Sequence, residues 1–118
     1  MPRAGLDPTA VVAAGAFRAF RAFVLEHPGR YAATIGVEPS DPDDPLATAG
    51  RRLLAAFMAV LRGYAIAESD VDHALRMLRS LCHGFATLQA ADGFQRSADV
   101  DESFEWLTAF ADRGLRAR

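Results

Sequence analysis

Apolar residues recur at three- and four-residue spacing along much of the chain, and that period commits it to helices. One run is Val71, Ala74, Leu78, Leu81, Phe85, Leu88; an earlier one is Val12/Ala13, Ala16/Phe17, Phe20, Phe23/Val24. Residues spaced in this way share one face of a helix but scatter over both faces of a strand. Only 14 of the 118 residues are β-branched, and no stretch alternates apolar and polar side chains long enough for a sheet. The expectation is an all-α fold, and a single domain at this length.

Start and stop signals divide the chain into a bundle of four long helices plus a short one. Asp7-Pro8 supplies an N-cap and a proline at the first helical position, and the helix runs to His27, where Pro28-Gly29 stops it. Arg30–Ile35 reads as one short further turn. Val37–Pro45, with three Pro and three Asp, reads as a surface loop and the least ordered segment. Asp44-Pro45 then opens a second long helix to about Tyr64, with Leu46, Gly50, Leu53, Phe57, Val60/Leu61 and Tyr64 on one side. Ser69 with Asp72 resembles a capping box for a third helix reaching about Ala91, with Gly93 as its left-handed stop. Asp99 with Glu102 opens the last helix, which passes Phe104, Trp106, Leu107 and Phe110 to about Gly114.

Composition narrows the function. At 51% hydrophobic residues the chain has ample apolar surface to order itself, yet 24 of its residues are Ala, which bury little area. The core is therefore lean, and a partner surface or a bound ligand is expected to complete it. A net charge of −2 gives no basic bias toward nucleic acid. All 13 basic residues are Arg, which reflects GC-rich coding rather than chemistry. The lone Cys82 cannot form an internal disulfide, which points to a reducing compartment. The longest charge-free run, Ser80–Ala91, falls short of the ~18 residues of a membrane span, and no signal segment opens the chain. A cytoplasmic protein without a membrane partner is expected.

Catalytic patterns are not found. His27, His73 and His83 are few, and no acidic residue stands four positions from His73 or His83 in a metal-ligand pattern. Cys82 beside His83 looks like a catalytic pair, but adjacent helical residues point ~100° apart, so a buried thiol is the plainer reading. Asp41, Asp43 and Asp44 read as a solvated turn. No phosphate loop, nucleophile elbow or dinucleotide fingerprint occurs. Catalytic residues, metal and cofactor are all expected to be none.

The last two helices carry a message about assembly. The third follows the 3-4-3-4 spacing of near-parallel helix packing, beside a stripe of small residues, Ser80, Gly84, Thr87 and Ala91. A mid-helix Gly84 costs ~1 kcal/mol against Ala, which a close backbone crossing would explain. In the fourth helix Phe104, Leu107 and Ala111 form one apolar edge while Trp106 and Phe110 form another. Two apolar edges exceed what a small monomer covers. A homodimer through a four-helix bundle is expected, with Leu81, Gly84, Phe85, Leu88, Phe104, Leu107 and Phe110 at its interface.

The remaining aromatic and soft apolar residues lie on the first three long helices. Phe20, Phe23, Phe57, Met58, Leu61, Tyr64 and Met77 are candidates to line a cavity for a small, mainly apolar or aromatic molecule, with Tyr31 and Phe85 nearby. The competing reading is that they fill the core. Tyr31, Tyr64 and His83 each need a hydrogen-bond partner if buried.

The segment Leu81-Cys82-His83-Gly84-Phe85-Ala86-Thr87-Leu88, continuing Gln89-Ala90-Ala91-Asp92-Gly93-Phe94, resembles the His-Gly-centred signature of the C-terminal domain in one branch of TetR-type transcriptional regulators. Asp99-Val100-Asp101-Glu102-Ser103-Phe104-Glu105 resembles the start of that branch's last helix. Glu26-His27-Pro28 followed by Tyr31 is similar to the break after the domain's first long helix. The likeness covers about residues 8–115, and it departs at Arg79, one turn before His83, where an aromatic residue is expected. The resemblance implies a regulatory domain that binds a small effector and dimerises through its last two helices. In the family, DNA is bound by an N-terminal helix-turn-helix domain. Nothing before Asp7 is long enough for one, so the expectation is a single effector-binding and dimerisation domain over residues 1–118, contacting DNA only through that missing part.

Three functions therefore compete: a ligand-sensing domain of a repressor, a helical dimerisation module with a filled core and no ligand, and a small all-α enzyme using Cys82 or His83. A cavity bounded by the first three long helices separates the first from the second.

Overall fold

A computed structural model describes residues 7–33, 35 and 43–118. The elements are α1 (Pro8–Glu26), α2 (Pro28–Ala33), α3 (Pro45–Gly63), a 3-10 turn (Glu68–Asp70), α4 (Val71–Ala90) and α5 (Val100–Arg116). Among the described residues there is no strand, and the fold is the all-α bundle of four long helices and a short one. Residues 37–42 of the expected loop, and the Leu46 side chain, lie outside the described residues.

Local chemistry accounts for most boundaries. The Asp7 side chain accepts a hydrogen bond from the Thr9 amide at 3.0 Å, and Pro8 occupies the first turn of α1. A proline disfavours helical geometry in the residue before it. His27 accordingly leaves the helix at φ −136°, ψ 57°, while its amide still bonds the Phe23 carbonyl. Pro28 then starts α2, which delivers Tyr31 into the core. At α5 the Asp99 carboxylate accepts from the amides of Asp101 and Glu102 at 2.8 and 3.2 Å. Asp101 and Glu102 in its first turn, and Arg113 and Arg116 in its last, complement the helix dipole. The helix runs through Gly114 to Arg116, two residues beyond the expected end.

Two expected boundary devices differ. Ser69 and Asp72 form no capping box: the residue flanking α4 is Asp70, without a side-chain cap bond, and the helix grows out of the preceding 3-10 turn. At the other end the left-handed residue is Asp92 (φ 57°) rather than Gly93. The Asp92 amide bonds the Gln89 carbonyl at 3.0 Å and the Gly93 amide bonds Leu88 at 2.7 Å, the paired closure of a Schellman end. Gly93 serves by size instead, because a Cβ there would meet the Leu88 carbonyl oxygen at 3.0 Å.

The described chain measures 48 × 40 × 21 Å, and 21 Å is about two helix diameters. Helix α1 is the hub, packing against α2, α3, α4 and α5. It contributes Ala13, Phe17, Phe20 and Val24 to the core, against Phe57, Val60 and Leu61 of α3 and Leu78, Cys82 and Ala86 of α4. Phe57 lies 5.5 Å from Phe20 in a stacked pair and 6.2 Å from Phe17 in a tilted one. By length and composition α1 could cross a membrane. Its apolar stripe is instead the centre of the bundle, and its Arg21 is tied to α4 and α5. The Arg21 guanidinium donates to the Gln89 side chain (2.9 Å) and to Asp101 (2.7 Å), and lies 4.9 Å from the centre of the Phe104 ring.

The opposite end is closed by a second polar set. The Tyr64 hydroxyl donates to Asp112 at 2.5 Å, Arg116 donates to the same carboxylate at 3.0 Å, and Arg116 also pairs with Asp7. Gly63 lets this corner close, since a Cβ there would stand 3.2 Å from the Thr9 methyl.

Candidate functional site

A cavity of about 420 Å³ lies between the first four helices. Phe20 of α1, Tyr31 of α2, Gly50, Leu53, Leu54 and Phe57 of α3, and Leu75, Arg76 and Arg79 of α4 surround it. The α3 wall is one helical face, because 50, 53, 54 and 57 follow the i, i+3, i+4, i+7 spacing. Gly50 adds no side chain to this wall, and among the described residues nothing lies within 4 Å of where its Cβ would be. The size falls in the range of small-molecule sites, about 300–1,000 Å³, and the wall is mainly apolar, as such sites are.

Polar groups gather at one edge. The Tyr31 hydroxyl and His83 Nδ1 share a hydrogen bond. Burial pushes the Tyr31 hydroxyl above its ordinary pKa, an effect partly offset by the neighbouring Arg79 guanidinium. A second depression of about 280 Å³, bordered by Ile35, Arg76, Arg79, Ser80 and His83, shares both arginines with the main chamber.

Of the seven ligand-site candidates, the structure brings two together at this chamber, Phe20 and Phe57. Phe23 lies beside Tyr31 and His27, with ring centres 6.4 and 5.5 Å away. Leu61 is core, Met58 is half-buried on α3, and Tyr64 holds Asp112. Met77 lines a separate depression of about 300 Å³ with Ile66, His73 and Leu115 among its walls. Leu53, Leu54, Leu75, Arg76 and Arg79 were missed as lining residues; the spacing of the α3 face carried the signal for Leu53 and Leu54 only.

Of the assembly candidates, Phe104 is buried between its own Phe85 and Arg21. Leu81, Phe85 and Leu107 are half-buried against the core. Leu88 and Phe110 are 51% and 63% exposed, and Trp106, one turn before Phe110, is 75% exposed. No atom of the described chain outside the local helix lies within 4 Å of a Cβ placed on Gly84.

Cys82 is buried, and that burial pushes its thiol up to about 12, far from the reactive range. Among the described residues no group of three His, Cys, Asp or Glu side chains gathers as a metal site.

An all-α bundle organised around one central helix, with a side chamber, defines the class. Residues 13–111 match the tetracyclin repressor-like C-terminal domain family, and the chain belongs to it. It is also 34% identical, over 84 residues, to the protein named uncharacterized HTH-type transcriptional regulator YobS of Bacillus subtilis (strain 168). That match covers 71% of this chain and 43% of the relative, so the chain accounts for less than half of the relative's length. No solved structure matches.

Proposed function

We propose that this chain is the effector-binding and dimerisation domain of a cytoplasmic TetR-type transcriptional repressor, sensing a small, mainly apolar molecule. The observation that carries the reading is the 420 Å³ chamber walled by Phe20, Leu53, Leu54, Phe57 and Leu75. A filled dimerisation module would have no use for such a space, which would forfeit packing contacts along its whole lining. The role is regulatory and not catalytic. DNA is contacted by a helix-turn-helix domain outside residues 1–118, and the partners of this part are a second copy of itself and the effector.

The mechanism is a shift between helix arrangements. A ligand in the chamber touches α1, α2, α3 and α4 at once, so it favours whichever arrangement keeps that space open. Helix α4 carries the change to the dimer seam, where Gly84 and Leu88 face the partner beside Trp106 and Phe110 of α5, with Leu81, Phe85, Phe104 and Leu107 as support. The separation of the two DNA-reading heads changes with it.

The test uses the neutral fluorescent probe N-phenyl-1-naphthylamine. Saturable binding of one probe per chain, abolished by Leu54→Trp with the fold retained, is the expected result. Absence of binding would return the chain to the alternative of a filled helical dimerisation module.

A further inference from the structure

We infer that the effector carries an anionic head, a carboxylate held by Arg76 and Arg79, with its apolar body in the chamber. This deepens the sensing role proposed above and rests on it. The two arginines stand three residues apart on α4, hence on one side of the helix. Both border the apolar chamber and both border the shallower depression beyond it, so they form the sill between the two spaces. Among the described residues no acidic side chain lines either space. Arg21, Arg116 and Arg118 are held by carboxylates of their own chain, whereas among the described residues no such ion pair occupies Arg76 or Arg79.

Chemistry selects the head group. Guanidinium is a planar donor that grips a carboxylate with two parallel hydrogen bonds, and its long stem can lie along an apolar wall while its charge stays wet. Arg79 is already placed beside the Tyr31 hydroxyl, which adds a third polar group at the sill. The rest of the described lining, Phe20, Leu53, Leu54, Phe57 and Leu75, is apolar and carries no charge. A ligand filling this space is therefore an amphipath, apolar inside and negative at the mouth. Both arginines are exposed, so replacing them leaves the core undisturbed.

The experiment displaces N-phenyl-1-naphthylamine with three ligands of equal chain length: decanoate, 1-decanol and decylammonium. Decanoate should bind about tenfold more tightly than the alcohol, and the ammonium should bind least. Raising salt from about 0.1 M to about 1 M should erode the decanoate advantage. The double variant Arg76→Gln/Arg79→Gln should lose the preference for the acid, keep its affinity for the alcohol, and keep its melting curve. Equal affinities for decanoate and decanol, or an acid preference surviving in the double variant, overturns the anionic head while the neutral probe still reports a working chamber. If the probe itself does not bind, the sensing role fails first.

Discussion

Tyr31 and His83, 52 positions apart in the chain, are joined by a hydrogen bond between the phenol oxygen and Nδ1. The contact pins the short helix α2 onto the middle of α4. It gives His83 Nδ1 a partner from the far side of the core. The Tyr31 ring makes an edge contact with Phe20 at 5.5 Å, so its apolar and polar ends are both engaged.

Tyr31→Phe keeps the ring and removes the hydroxyl. The expected cost is about 1–2 kcal/mol in urea unfolding, because His83 Nδ1 loses its partner in a half-buried place. His83→Ala should cost a similar amount, and the double variant less than the two added together. Additive losses would mean that the pair shares no energy.

Asp112 makes the stability depend on acid. Burial works to raise its pKa, but the Tyr64 hydroxyl and the Arg116 guanidinium hold the carboxyl below its ordinary value. A group depressed in the folded state contributes stability above its unfolded pKa, about 3.9, and loses it as the pH falls through the folded value. Asp112→Asn should therefore melt below the wild type at neutral pH. The gap should close as the pH drops beneath about 4. A gap that stays constant down to strong acid would remove Asp112 as its source.

Cys82 separates regulation from catalysis. With its thiol raised from 9 to about 12, its thiolate at pH 8 is scarcer by roughly a thousandfold, before the cover of surrounding side chains is counted. Iodoacetamide should leave Cys82 untouched in the folded chain and modify it promptly in denaturant. Rapid alkylation of the native protein would reopen the enzyme reading.

Most of the fold was legible because its signals are local. Asp7 and Asp99 cap amides two or three residues away, and Pro28 acts on the residue before it, so sequence adjacency was sufficient. Ser69 misled because an unfavourable cap is cheap beside the packing of α4, which starts from a 3-10 turn. At the end of α4 the left-handed turn went to Asp92, since a close approach to the Leu88 carbonyl needed the glycine next door. The chamber was harder to read. Met58 and Tyr64 look as suitable by residue type as Leu53 and Leu54, yet it is Leu53 and Leu54 that line the gap, while Tyr64 is taken up by Asp112. Residue type also misdirected: soft and aromatic side chains were favoured, whereas two arginines with long apolar stems form part of the wall.

The dimer proposal can be tested at one residue. In the isolated chain a Cβ on Gly84 meets open space, so Gly84→Ala should leave the monomer intact and gain helix propensity worth up to ~1 kcal/mol. Gly84→Leu should also be tolerated by the monomer. If a partner's backbone crosses here, however, the added bulk pushes it away, at about 1–3 kcal/mol per site, counted twice by the two-fold axis. Sedimentation equilibrium should then show a wild-type dimer that Gly84→Leu dissociates, with circular dichroism unchanged. Exposed Trp106 and Phe110 give an independent reading, because covering them should shift the tryptophan emission to shorter wavelength as the dimer forms. A wild-type chain that stays monomeric at every concentration, or a Gly84→Leu chain that dimerises as well as the wild type, would place the seam elsewhere.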